Sequence, residues 1–123
     1  MIDVRPATRG SLLARIAFLT AVVVHLAALY WPLTVATGGF SLSDKVAHAL
    51  LFGAVAATGI WARVPMAPLI GLLLANSVVS ELVQHWLLPN RSGDPGDTVA
   101  DCIGIALGTA LGVGLRRARD HET

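Results

Sequence analysis

Four long apolar stretches, at about residues 12–35, 45–62, 67–88 and 98–115, set the limits on what this chain can become. The hydrocarbon core of a bilayer takes about 20 predominantly apolar residues of helix, and each stretch approaches or exceeds that length. The second and fourth are on the short side, which local bilayer thinning or snorkelling ends accommodate. Turn signals separate them: Thr37-Gly38-Gly39, then Pro65 and Pro68, then the Pro/Gly/Asp run at 89–96.

Charge content points the same way. Only 14% of the 123 residues are charged and 54% are hydrophobic, whereas soluble domains carry about 25% charged residues. The predicted fold is therefore all-α: a polytopic membrane protein built as a four-helix transmembrane bundle over 12–115. A short N-terminal segment (1–11) and a C-terminal tail (116–123) flank it. No internal repeat or linker divides the chain. The net charge of +1 gives no sign of a nucleic-acid partner, because the basic residues sit at segment ends. The single Cys102, in an apolar stretch, excludes an intramolecular disulfide and a CxxC-type metal site.

Arg5, Arg9 and Arg15 before the first apolar run give it the outline of a signal peptide. The run is longer than the usual 7–15-residue signal core, and Tyr30, Trp31 and Pro32 close it with an interfacial aromatic belt. It is read as a retained helix. Orientation follows from the basic residues. With four spans, Arg5, Arg9, Arg15, Arg63, Arg116, Arg117 and Arg119 share one side, and only Lys45 and Arg91 lie on the other. Seven against two predicts that both termini are cytoplasmic and that the loops near 35–44 and 89–97 face outward.

Ionisable residues then stand out, because charge at membrane depth costs several kcal/mol and usually faces a cavity or a partner. Asp44, Lys45 and His48 open the second stretch, with Asp44 and His48 on one face. Ser41, Ser43 or Asp44 can cap this helix, and Lys45 can simply snorkel. Ser77, Glu81, Gln84 and His85 form a polar stripe on the third helix, with Ser80 beside them. Glu81 is the costliest of these to bury and needs a cation or a proton. The plain alternative is polar glue between helices. Arg91 supplies a fork for Glu81, Asp97 or a phosphate. Asp94 reads as a turn residue before Pro95. Asp97 can cap the fourth helix, with Asp101 one turn further in on the same face. Below it, Gly104, Gly108 and Gly112 recur every four residues, a small-residue stripe that lets another helix approach closely. His25 reads as an isolated structural histidine, and Trp61 and Trp86 as interfacial residues near span ends.

The order of these blocks resembles the VanZ-like family of small bacterial membrane proteins. The matching residues are Ser43-Asp44-Lys45-Val46-Ala47-His48 with Phe52, then Ser80-Glu81-Leu82-Val83-Gln84. Asn90-Arg91-Ser92 leads next to Asp97-Thr98-Val99-Ala100-Asp101 and residues 104–108. The family pattern looks like D-K-x-x-H, E-x-x-Q, a loop arginine and D-x-x-x-N followed by glycines, and it covers 44–112. Asp101 stands where that pattern usually has Asn, which adds a possible charge and room for a shared proton or cation. The resemblance implies a multi-pass membrane protein of the bacterial cell envelope, in a family named for low-level resistance to the glycopeptide antibiotic teicoplanin.

Three functions fit the residues. The first is a non-enzymatic protein whose outward polar pocket (Asp44, Lys45, His48, Glu81, Gln84, His85, Arg91, Asp97, Asp101) binds an amphiphile. Its ligand would be a membrane lipid, a lipid-linked envelope intermediate or a lipoglycopeptide. The second is an enzyme acting on a lipid-borne substrate, with Glu81, His85 and Asp97 as acid and base. The third is a small ion-coupled transporter, for which four helices leave little room unless subunits assemble; the glycine stripe permits a homo-oligomer. The histidines and carboxylates are suitable cation ligands, but their spacing matches no metal motif, so neither a metal nor another cofactor is expected.

Overall fold

A computed structural model describes residues 9–30, 42–87 and 95–121, and all of its regular structure is helical. Helix α1 spans Arg9–Tyr30, α2 Leu42–Trp61, α3 Met66–Trp86 and α4 Pro95–His121. Three helices, at Ser11–Tyr30, Met66–Trp86 and Gly96–His121, are long and apolar enough to cross a membrane. These mark the chain as a membrane protein by length and composition. Helix α2 is long enough as well, but Asp44, Lys45 and His48 occupy its first two turns and lower its apolar character.

Helix boundaries follow local chemistry. Pro95 begins α4 because its fixed φ suits the first helical position and the N–H it lacks would be unbonded there anyway. Asp97 therefore lies inside the first turn instead of capping from outside it. At the other end α4 runs through Arg116, Arg117 and Arg119 to His121, so the expected tail is helical at least that far. Cations there complement the negative end of the helix dipole. Helix α2 stops in a two-bond cap: Val64 N–H donates to Gly59 O at 2.9 Å and Arg63 N–H to Ile60 O at 3.0 Å. Arg63 takes φ 66°, the left-handed position of such a cap. Pro65 follows, and α3 starts after it. Pro68 falls within the first turn of α3, where a missing N–H costs nothing.

Contacts between helices fix their directions. Phe18 lies against Gly59 and His25 reaches Leu51, so α1 and α2 are antiparallel. His25 meets Asn76 and Leu29 meets Gln84, so α1 and α3 run the same way. Along α2 and α4 the partners rise together: Lys45 with Asp97, His48 with Asp101, then Ala49 with Gly104, Gly53 with Gly108 and Ala57 with Gly112. These two helices are parallel. One end of the bundle thus gathers the starts of α2 and α4 with the ends of α1 and α3. The opposite end holds the α2–α3 turn and the last turn of α4, where Arg63 pairs with Asp120.

The α2–α4 contact is the most extensive in the fold, and α2 also touches α1 and α3. Its closeness comes from small residues. A Cβ on Gly104 would fall onto the Ala49 carbonyl oxygen, and one on Gly108 onto that of Gly53. A Cβ on Gly112 would stand 2.7 Å from Ala57 O. The stripe that the sequence offered for helix approach, including approach of a second copy, is filled by the chain's own α2. Around this seam Leu29, Phe52, Val55, Ala56, Ile60, Leu69, Leu73 and Ile105 form the core. Leu19, Val23, Leu50, Leu72, Val99 and Leu107 are exposed on the outer faces. Apolar surface this extensive is what a lipid-facing bundle presents.

Candidate functional site

At the end of the bundle where α2 and α4 begin, ionisable side chains from both helices converge. The i, i+4 spacing on α2 sets Asp44 and His48 on one face, with His48 Nε2 4.0 Å from Asp44 Oδ2. The same spacing on α4 stacks Asp97 above Asp101. Parallel packing at close range then brings the two faces together. His48 Nδ1 is 2.9 Å from Asp101 Oδ1, and His48 Nε2 is 3.6 Å from Asp97 Oδ2. Lys45 Nζ donates to Asp97 Oδ1 at 3.0 Å. From α3, Ser77 Oγ donates to Asp101 Oδ2 at 2.7 Å.

Burial in this network is deep. Asp101 is fully enclosed, and His48 and Asp97 are 3% and 2% exposed. Asp101 satisfies its two carboxylate oxygens with one donor each, from His48 and Ser77. A carboxylate at Nδ1 holds the imidazole so that, when neutral, Nδ1 carries the proton and Nε2 the lone pair. Asp44 is the exposed member at the mouth and Lys45 is half-buried. Asp44, His48 and Asp97 each present a ligand atom, all within 4.8 Å of one another.

The stripe predicted on α3 divides. Ser77, Ser80 and Gln84 are buried; Ser80 Oγ donates to Ser77 O at 3.1 Å, and Gln84 Nε2 to Leu29 O at 2.9 Å. Gln84 thus ties α3 to α1 and does not join the carboxylates. Glu81 is half-buried. His85 does not belong to the cluster. It is exposed, and its ring meets Trp86 edge-on at 5.5 Å, because one further residue turns it about 100° away from Gln84. An acid–base pair of Glu81 and His85 has no support in this placement. Arg91 and Asp94 lie outside the described residues, as does Ser41. The cation that meets Asp97 is Lys45.

A second polar group lies deeper and was not anticipated. His25 Nε2 is 2.7 Å from Asn76 Nδ2, and its Nδ1 is 3.2 Å from Leu51 O. Tyr30 Oη donates to Asn76 Oδ1 at 2.5 Å, and the Phe52 and His25 rings meet in a T-shaped arrangement with centroids 4.5 Å apart. His25 is isolated in sequence but not in space. The overlooked signal was Asn76, a lone amide in the middle of an apolar helix, which in lipid needs a partner.

The fold and the cluster define an all-α membrane protein with a buried His–carboxylate network at one end of the bundle. Comparison with protein-family models, with curated proteins and with solved structures finds no match for this chain.

Proposed function

We propose that the chain is a VanZ-like, four-span protein of the bacterial plasma membrane, with both termini cytoplasmic, whose polar cluster binds the head of an envelope amphiphile. The ligand would be a lipid-linked envelope intermediate or a lipoglycopeptide, and glycopeptide tolerance would be one consequence. The observation that carries this reading is the network at one end of the bundle. Lys45, Asp97, His48 and Asp101 are joined there, with Asp44 open at the mouth and apolar helix faces alongside. Such a site takes a polar head into the cluster and leaves the hydrocarbon tail against the exposed leucines and valines. Carboxylates accept hydrogen bonds from sugar hydroxyls or amides, and Lys45 with Arg91 meets an anionic group. Four spans are supported by the alternating helix directions, and the orientation by the seven-to-two split of Lys and Arg.

Native mass spectrometry of the protein released from its own membrane tests the reading. A co-purifying amphiphile is expected, lost in Lys45→Ala and in Arg91→Ala. If both variants retain it, or if the wild type carries none and tolerance is unchanged on deletion, the reading fails. Orientation has its own check. A C-terminal green fluorescent fusion should be bright and a C-terminal alkaline phosphatase fusion inactive; the reverse result overturns the topology.

A further inference from the structure

His48 carries two nitrogens with different surroundings. Nδ1 is committed to Asp101, whose other oxygen is held by Ser77. Nε2, on a ring only 3% exposed, has no hydrogen bond among the described residues. It faces Asp97 Oδ2 at 3.6 Å and Asp44 Oδ2 at 4.0 Å instead. Both exceed a hydrogen bond; the 3.6 Å pair already suits two ligands of one ion, and the 4.0 Å pair needs Asp44, on the exposed side, to close by about 0.4 Å. Atoms each about 2.0–2.2 Å from a tetrahedral Zn2+ stand roughly 3.3–3.6 Å apart. The remaining oxygen of Asp97 is taken by Lys45, so Oδ2 is the one left facing the imidazole.

The surroundings of the ring point the same way. Asp44, Asp97 and Asp101 each bring a carboxylate oxygen to the His48 ring, and Asp97 also meets the Lys45 ammonium. Carboxylates gathered on one imidazole favour a proton on it or a cation beside it. A His whose far nitrogen donates to a buried carboxylate, with further carboxylates at its near nitrogen, has the outer-sphere support that metal-binding imidazoles use.

The geometry points to a binding site for a divalent transition-metal cation formed by Asp44 Oδ2, His48 Nε2 and Asp97 Oδ2. Asp101 and Ser77 orient the imidazole, and three protein ligands leave a tetrahedral ion a fourth position. One imidazole with two carboxylates suits Zn2+ or Mn2+ better than the all-oxygen preference of Mg2+. Sequence spacing hid the site because Asp44 and His48 share a helix while Asp97 arrives from another. The inference does not depend on amphiphile binding, although an open coordination position would attract the anionic part of such a head.

Tag-free protein, stripped with chelator and placed in nanodiscs of zwitterionic lipid, is titrated with ZnCl2, MnCl2 or MgCl2. Bound metal is counted by elemental analysis after desalting, and CoCl2 reports geometry by its visible absorption. The expected result is one Zn2+ per chain. Asp44→Asn and His48→Gln should each weaken binding at least ten-fold, and Asp101→Asn should weaken it 10–100-fold while keeping the stoichiometry. His121→Ala, at the far end of α4, should change nothing. Asp44 is exposed, so Asp44→Asn tests the site without threatening the fold; helical circular dichroism verifies that both ligand variants are intact. Absence of stoichiometric Zn2+ and Mn2+, or wild-type affinity in folded Asp44→Asn and His48→Gln, overturns the proposal. The lipids used contain no envelope intermediate, so this outcome stands apart from that of amphiphile binding.

Discussion

His48 Nδ1 and Asp101 Oδ1 meet at 2.9 Å where the glycine seam between α2 and α4 begins. One residue further along α2 and three further along α4, Ala49 packs directly on Gly104. Two helices carrying large side chains at this seam would stand too far apart for the bond to form. The polar network and the small-residue seam are thus one construction: the seam sets the distance and the network uses it. Asp101 is accordingly the residue on which three helices depend, since α2 reaches it through His48 and α3 through Ser77.

Replacing Asp101 separates its charge from its shape. Asp101→Leu leaves His48 and Ser77 buried without their acceptor and should cost on the order of 3–5 kcal/mol, the usual range for breaking one side of a buried pair. Asp101→Asn keeps one acceptor oxygen and should cost about 1–2 kcal/mol. Unfolding by denaturing detergent in mixed micelles measures both. Equal losses for the two variants would show that only the volume of the side chain matters.

The seam makes a contrast between glycines of the same helix. Gly108→Ala drives a methyl into the Gly53 backbone, which has no flexible side chain to yield, and should destabilise by at least about 1–3 kcal/mol. Gly114 has open space beside it, so Gly114→Ala should gain up to about 1 kcal/mol from helix propensity alone. Thermal stability in detergent reads both, and an unaffected Gly108→Ala protein would refute the close packing of α2 on α4.

Lys45 and Asp97 should behave as a coupled pair and not as two independent surface charges. A double-mutant cycle with Lys45→Met and Asp97→Asn is expected to give an interaction energy of roughly 1–3 kcal/mol, since Asp97 is nearly inaccessible. A value near zero would mean that Lys45 merely snorkels.

The deeper group predicts a loss on the other face of the bundle. Asn76→Leu removes the partner of both the His25 ring and the Tyr30 hydroxyl. Hydrogen bonds between membrane helices are worth about 0.6 kcal/mol on average, so a loss of about 1–2 kcal/mol is expected for the pair. Tyr30→Phe should lose about half of that. Stability equal to wild type in Asn76→Leu would dismiss the group as structural glue.

What the sequence determined alone was the inventory and the faces. Apolar runs bounded by Gly and Pro give four helices, because length and turn chemistry are local properties of the chain. Spacing of three and four put Asp44 with His48, Asp97 with Asp101, and Gly104 with Gly108 and Gly112, since a helix fixes which of its own residues align. Tertiary structure decided everything that depends on the rotation and register of one helix against another. It gave Asp97 to Lys45, turned His85 out toward Trp86, spent the glycine stripe on α2, and joined His25 to Asn76 and Tyr30. It also set Asp97 beside Asp44 and His48, where one ion would reach all three. Periodicity says which side of a helix is polar but not what that side will face, and here the facing was settled by how closely α2 and α4 can pack.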